Sequence, residues 1–244
     1  MFHVKRTLPG LLNPPENIRS ALREIGVTIT ETQWDRLVLY AGALIEANAS
    51  VNLISRKDQE NLWGSHILHA LALLAVVRFP SGARVMDLGT GGGLPGIPLA
   101  ICCPDLQFDL VDSVQKKARA VDSFVDRLAL SNVKVIAGRA EELKKEKGYQ
   151  IVIARAVAPL VNLLKWTGRL LDRSQRYTVK ATIGGVDVGV ESPVLLAMKG
   201  GDLDDEIRQA KLKYPDIAPL IARLPVVEPG LSALDDKKVI IVPR

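Results

Sequence analysis

Ala83-Arg84-Val85-Met86-Asp87-Leu88-Gly89-Thr90-Gly91-Gly92-Gly93-Leu94-Pro95-Gly96 decides how the rest of the chain is read. A short apolar strand ends in an acid, a glycine loop follows, and a helix begins. Glycines remove side chains where the backbone must turn and where a ligand must lie against it. Asp87, Gly89, Gly91 and Gly93 fit D-x-G-x-G-x-G. A dinucleotide fingerprint, G-x-G-x-x-G, counted from Gly89 would need a glycine at position 94, which is Leu94. The G-K-[ST] of a phosphate loop is also missing. The loop fits the methyl donor S-adenosylmethionine better than a nucleotide.

Downstream of this stretch, short apolar strands alternate with helical segments. Strands are expected at 83–88, 107–112, 132–137, 150–154 and 194–199, and helices at about 95–102, 115–130 and 158–171. That alternation predicts an α/β fold with a largely parallel sheet covered on both faces. A helix near 202–212 and strands near 220–227 and 237–242 complete it, with Pro229-Gly230 between the last two. Residues 173–193 alternate around Gly184-Gly185, which fits a β-hairpin insertion or a mobile loop.

Upstream the period is helical. Residues 1–13 read as irregular. Pro14-Pro15 opens a helix that Gly26 ends. Thr30 with Gln33 forms a capping-box pattern ahead of Trp34, Leu37, Val38, Ala41, Leu44 and Ile45. Asp58 is the expected cap of a third helix whose apolar face is Trp63, Ile67, Ala70, Leu71, Leu74 and Val77. The domain expectation is an N-terminal helical extension over 1–80 and a cofactor-binding domain over 81–244.

The 244 residues are 48% hydrophobic and carry a net charge of +5, so a sizeable core and a polyanionic partner are both compatible. No apolar run approaches the roughly 20 residues of a membrane span. The two cysteines, Cys102 and Cys103, are adjacent and poorly placed to bridge each other. A cytoplasmic, disulfide-free monomer is expected. His66 and His69 have helical metal-ligand spacing but lack a carboxylate or cysteine partner nearby, so no metal site is assigned.

Three strand ends carry the remaining candidates. Asp112 closes the second strand ~25 residues after Asp87, where a carboxylate can accept ribose hydroxyls or cap the next helix. Arg139-Ala140-Glu141-Glu142 follows the third strand as either a ligand-facing turn or an acidic helix start. Arg155 follows the fourth, as a site residue or a surface ion pair.

Gly89 through Ala100, in particular Leu94-Pro95-Gly96-Ile97-Pro98, resembles the signature of the RsmG (GidB) family of small-subunit ribosomal RNA guanine-N7 methyltransferases. Asn52-Leu53-Ile54, His66-Ile67-Leu68, Leu110-Val111-Asp112-Ser113, Gly138 to Glu142, Ala154-Arg155-Ala156 and Ala197 to Gly201 fall in that family's order. The resemblance covers about residues 30–212. It implies a class I, Rossmann-like methyltransferase fold with a seven-stranded sheet and an antiparallel last strand. It implies S-adenosylmethionine as cofactor, S-adenosylhomocysteine as product, and 16S ribosomal RNA or the small subunit as partner. Gly89 and Leu94 would touch the cofactor, Ala140 and Glu141 would lie along its adenine, and Arg155 would line the donor site. By analogy with the wider superfamily Asp112 takes the ribose.

RNA would meet basic groups around the mouth: Arg56, Lys57, Lys116, Lys117, Arg139, Lys165 and Lys199. No general base is expected, because guanine N7 already offers a lone pair. A methyltransferase acting on another RNA, a small molecule or a protein stays open as an alternative, as does a non-enzymatic scaffold. His69 departs from the family, which usually has an acid there, and residues 173–193 replace a short glycine turn.

Overall fold

The computed structural model describes residues 14–55, 57–143, 148–227 and 234–244. Two helices lead: α1 (Glu16–Glu24) and α2 (Glu31–Asn48). The capping box at α2 is formed, with Gln33 N–H donating to Thr30 Oγ1 at 3.3 Å and Thr30 N–H donating to Gln33 Oε1 at 2.9 Å. An irregular helical run then fills 58–76, including a wide turn at Trp63–Leu68.

The expected third helix differs in two ways. It is buried nearly all round rather than along one face, because Leu62, Trp63, Ile67, Leu68, Ala70, Leu71, Ala72 and Leu73 are all inside. It also stops at Val76. Val77 and Arg78 form strand β1, whose partner comes from the hairpin about a hundred residues later.

The strands of the main sheet are β2 (Arg84–Leu88), β3 (Gln107–Asp112), β4 (Val133–Ala137) and β5 (Ile151–Arg155). Helices α3 (Gly96–Cys102), α4 (Gln115–Leu128) and α5 (Leu160–Thr167) connect and follow them. The hairpin is β6 (Thr178–Ile183) and β7 (Val186–Glu191), joined by Gly184 and Gly185 at φ +58° and +82°. Positive φ at both turn residues matches the right-handed twist of the flanking strands, which pair antiparallel over 178–191. After β8 (Val194–Gly200) come α6 (Asp204–Lys213), β9 (Leu220–Arg223) and β10 (Lys237–Pro243). The irregular reading of 1–13 and the Pro229-Gly230 turn lie outside the described residues.

The large sheet has the order β4-β3-β2-β5-β8-β10-β9. Strands β2, β3, β4, β5 and β8 pair in parallel, and β10 is antiparallel to both of its neighbours. The expected mainly parallel seven-stranded sheet with an antiparallel last strand is what the chain forms. Its central strands β5 and β8 are buried along nearly their whole length, because both faces are covered there. Ile151 and Ile153 face the leading helices with α3 and α4, while Val152 and Ala154 face α5 and α6. The leading helices share one continuous hydrophobic cluster with the sheet, from Ile18 through to Ile241.

The order reverses at β2: β3 and β4 lie to one side and β5 to the other. Open α/β sheets bind ligands outside the carboxyl ends of their strands at such a reversal.

Candidate active site

The glycine loop occupies that point. Gly89, Gly91 and Gly93 adopt φ of +70°, +59° and +90°, a region strained for other residues. Gly89 and Thr90 N–H donate to the Val111 carbonyl at 2.8 and 2.9 Å, which fastens the loop to β3. Asp87 lies fully buried beneath it. Its Oδ2 accepts from Thr90 Oγ1 at 2.6 Å and from Gly96 N–H at 2.9 Å, while Oδ1 is buried with no partner. Burial pushes this carboxyl up to about 6, against the lowering effect of those two hydrogen bonds and of Arg155. Asp87 therefore braces the loop from below instead of standing on its open side. Leu94 is buried beside it in the core.

On one flank of the loop lies a cleft of about 280 Å³. Leu88, Val111 and Ala140 line it as apolar surface, Val157 and Trp166 add a further wall, and Ser113, Arg139 and Glu141 contribute polar groups. A Cβ at Gly89 would stand 2.6 Å from Val157 Cγ2, so the loop presents bare backbone here. Apolar walls, a few polar groups and a glycine backbone fit a nucleoside. Asp112 ties the cleft to the loop: its Oδ2 accepts from Gly91 N–H at 2.9 Å and its Oδ1 from Val114 N–H at 2.8 Å. A carboxylate has about four acceptor sites, so both bonds leave capacity for a ribose hydroxyl. Wider hollows of about 520 and 510 Å³ flank α6, but no glycine loop or strand-end acid borders them.

The other flank is closed. Tyr40 on α2 donates its hydroxyl to the Gly92 carbonyl at 2.8 Å, fully buried. Leu44 and Leu53 press on the same glycine, whose Cβ would lie 2.9 Å from Leu44 Cδ1. Here Arg155 Nη2 donates to His66 Nδ1 at 3.2 Å, and His66 Nε2 stands 3.9 Å from Asp58 Oδ2. Burial, reinforced by Arg155, lowers His66 to about 4 and His69 to about 3. Both imidazoles are therefore neutral at physiological pH. Among the described residues no group of histidine, cysteine and acid side chains could hold a metal ion.

A family model described as rRNA small subunit methyltransferase G matches residues 33–182. The chain belongs to this family. Its relatives include proteins named ribosomal RNA small subunit methyltransferase G. That of Bacteroides fragilis is 40% identical over 185 residues, covering 76% of this chain and 83% of the other. That of Chlorobaculum tepidum is 36% identical over 225 residues, covering 91% and 94%. That of Chlorobium phaeobacteroides is 34% identical over 230 residues, covering 93% and 94%. The sheet order is accordingly that of a class I, S-adenosylmethionine-dependent methyltransferase.

In this methyltransferase the residues singled out in the sequence divide in space. Gly89, Ala140, Glu141 and Arg139 border the cleft; Asp112, Gly91, Gly93 and Leu94 belong to the loop and its anchor; Asp87 lies under it. Arg155 is not among the groups lining the cleft and faces the leading helices. Lys116, Lys165 and Arg139 are exposed, although Arg139 stands 3.9 Å from Glu141. Lys199 is engaged internally: its Nζ donates to the Ala158 carbonyl and pairs with Glu206, each at 2.7 Å. Arg56 lies outside the described residues.

Tyr40, Val157 and Trp166 were not singled out. A tyrosine at a core position of α2 was a usable signal, because a buried phenol needs a hydrogen-bond partner. Val157, just after β5, and Trp166, brought to the cleft by the packing of α5, carry no such mark.

Proposed function

We propose that this protein transfers the methyl group of S-adenosylmethionine to N7 of a guanine in 16S ribosomal RNA. The supporting observation is an open nucleoside-sized cleft beside a glycine loop at the sheet reversal of a chain belonging to the small-subunit methyltransferase G family. The bound cofactor supplies an electrophilic sulfonium methyl.

The chain's own residues hold and align. Gly89, Gly91, Gly93 and Leu94 give the backbone cradle, Ala140 and Glu141 the adenine contacts, Asp112 the ribose contact, and Arg155 the donor end, with Asp87 bracing the loop. Guanine N7 has an in-plane lone pair and no proton to lose, so no side chain is assigned as a general base. Proximity and in-line alignment can supply ~7–11 kcal/mol of the barrier. Extruding the guanine into a dry site completes what the chemistry needs.

Lys57, Lys116, Lys117, Arg139 and Lys165 form the phosphate-facing rim, with Arg56 as a further candidate. Lys199, held by Glu206, supports the loop after β5. The substrate is the small subunit or its RNA, met by a monomer in the cytoplasm. Among the described residues no helix is long and apolar enough to cross a membrane.

The test is incubation of small subunits lacking the modification with labelled S-adenosylmethionine, followed by nucleoside mapping. Label in 7-methylguanosine is expected; label on another base or on protein would overturn the reading.

A further inference from the structure

We infer that His66 is a positioning residue for Arg155, its Nδ1 holding the guanidinium beside the glycine loop so that the leading helices and the methyl-donor site are coupled through this contact. The inference rests on the donor-site role proposed above for Arg155.

A guanidinium has five N–H donors and no acceptor, so whatever holds it must present a lone pair. At 3.2 Å from Arg155 Nη2, His66 Nδ1 is that group, which places the imidazole proton on Nε2. Nε2 is buried, makes no hydrogen bond, and has the Asp58 carboxylate 3.9 Å away. Asp58 is itself fixed: Ser55 Oγ donates to its Oδ2 at 2.7 Å, and its N–H donates to Ser55 Oγ at 3.1 Å. A carboxylate, an imidazole and a guanidinium thus stand in line, from the start of the helical run to the end of β5.

The imidazole is suited to this work because it stays unprotonated. Burial and Arg155 together keep it at about 4, so Nδ1 remains an acceptor at any working pH. Arg155 needs the support. Arg155 ends β5, where its backbone is fixed by pairing with Met198, so the aim of its long side chain depends on what its guanidinium meets. The methyl transfer itself has no use for a histidine base, which leaves the buried His66 without a role in the chemistry.

The experiment is a double-mutant cycle on the full chain, reading S-adenosylhomocysteine affinity by calorimetry. His66→Leu should weaken binding about tenfold, or ~1.4 kcal/mol. His66→Asn, whose Oδ1 can stand where Nδ1 stood, should return to within about threefold of the parent. In an Arg155→Ala background His66→Leu should change nothing further, because its effect passes through the missing side chain. Losses that multiply in the double variant, or an Asn variant as weak as Leu at equal thermal stability, would overturn the inference. If Arg155→Ala alone leaves affinity unchanged, the donor-site role of Arg155 is what fails. Should His66→Leu not fold, His66→Gln, with no acceptor at the Nδ1 position, replaces it in the cycle.

Discussion

The two flanks of the glycine loop are built in opposite ways. The cleft flank is assembled mostly from residues that directly follow strands, Ser113 after β3, Gly138 to Glu141 after β4 and Val157 after β5, with Trp166 added from α5. It is open, its polar groups reach solvent, and its empty space is kept by the missing side chain of Gly89. The helical flank is assembled from residues 40–66, distant in sequence from the loop. It is closed, and its polar groups are paired or buried: Tyr40 with Gly92, His66 with Arg155. On the proposed function the cleft flank receives the nucleoside end of the cofactor, while the helical flank clamps the loop and carries Arg155 at the donor end. A glycine serves each. Gly89 spares Val157, while Gly92 lets Leu44 and Leu53 close from the far side.

Three variants would break or sharpen that contrast. The largest effect is expected at Gly89→Val. A β-branched residue at φ +70° is strained, and its Cβ would meet Val157. Cofactor affinity should fall by at least about 100-fold, or ~2.7 kcal/mol. Calorimetry checks this, and an unchanged affinity would mean that the cleft is not the cofactor site.

Next comes pH, which should act on the helical flank through stability. His66 and His69 titrate lower folded than their ordinary 6.5, at about 4 and about 3. As pH falls below 6.5 the unfolded chain takes up these protons first, so the stability they lend is present above 6.5 and lost below it. Between about pH 7.5 and about pH 5 each histidine costs about 2 kcal/mol. Asp87, raised to about 6, works in the other direction. Its folded form gains the proton as pH falls, which returns about 1 kcal/mol over the same interval. His69→Leu should therefore flatten the acid limb of a urea-unfolding series; a limb of unchanged slope would show that His69 is solvated.

The smallest effect is expected at Tyr40→Phe. Leaving the Gly92 carbonyl unpaired should cost about 1–2 kcal/mol of stability. Thermal unfolding reads this, with cofactor affinity moving less than about threefold. A large loss of affinity instead would mean that Tyr40 takes part in binding and does more than clamp the loop.

Most of the main sheet and the cleft flank were legible in the chain because their determinants are local. Strand, acid, glycine loop and helix follow one another between Ala83 and Gly96, and Asp112 and the Arg139–Glu142 turn sit at the ends of strands that periodicity alone locates. The hairpin was legible for the same reason, since Gly184-Gly185 lies between two alternating runs. What escaped was long-range. Val77 continues a helical apolar face in sequence, yet it becomes a strand because Ala181 is there to pair with it. Lys199 looks like a free cation until Glu206, on the next helix, closes on it.

The amino-acid sequence by itself determined the parallel α/β architecture, the glycine cradle and the acids at the strand ends, because short apolar runs alternating with helical segments, and loop chemistry, are local features of the chain. Only the tertiary structure decided that Asp87 braces the loop from beneath, that Arg155 faces His66, and that Tyr40 holds Gly92. Each of those depends on which buried polar groups are brought within hydrogen-bonding reach once the leading helices dock on the sheet. No spacing along the chain encodes that.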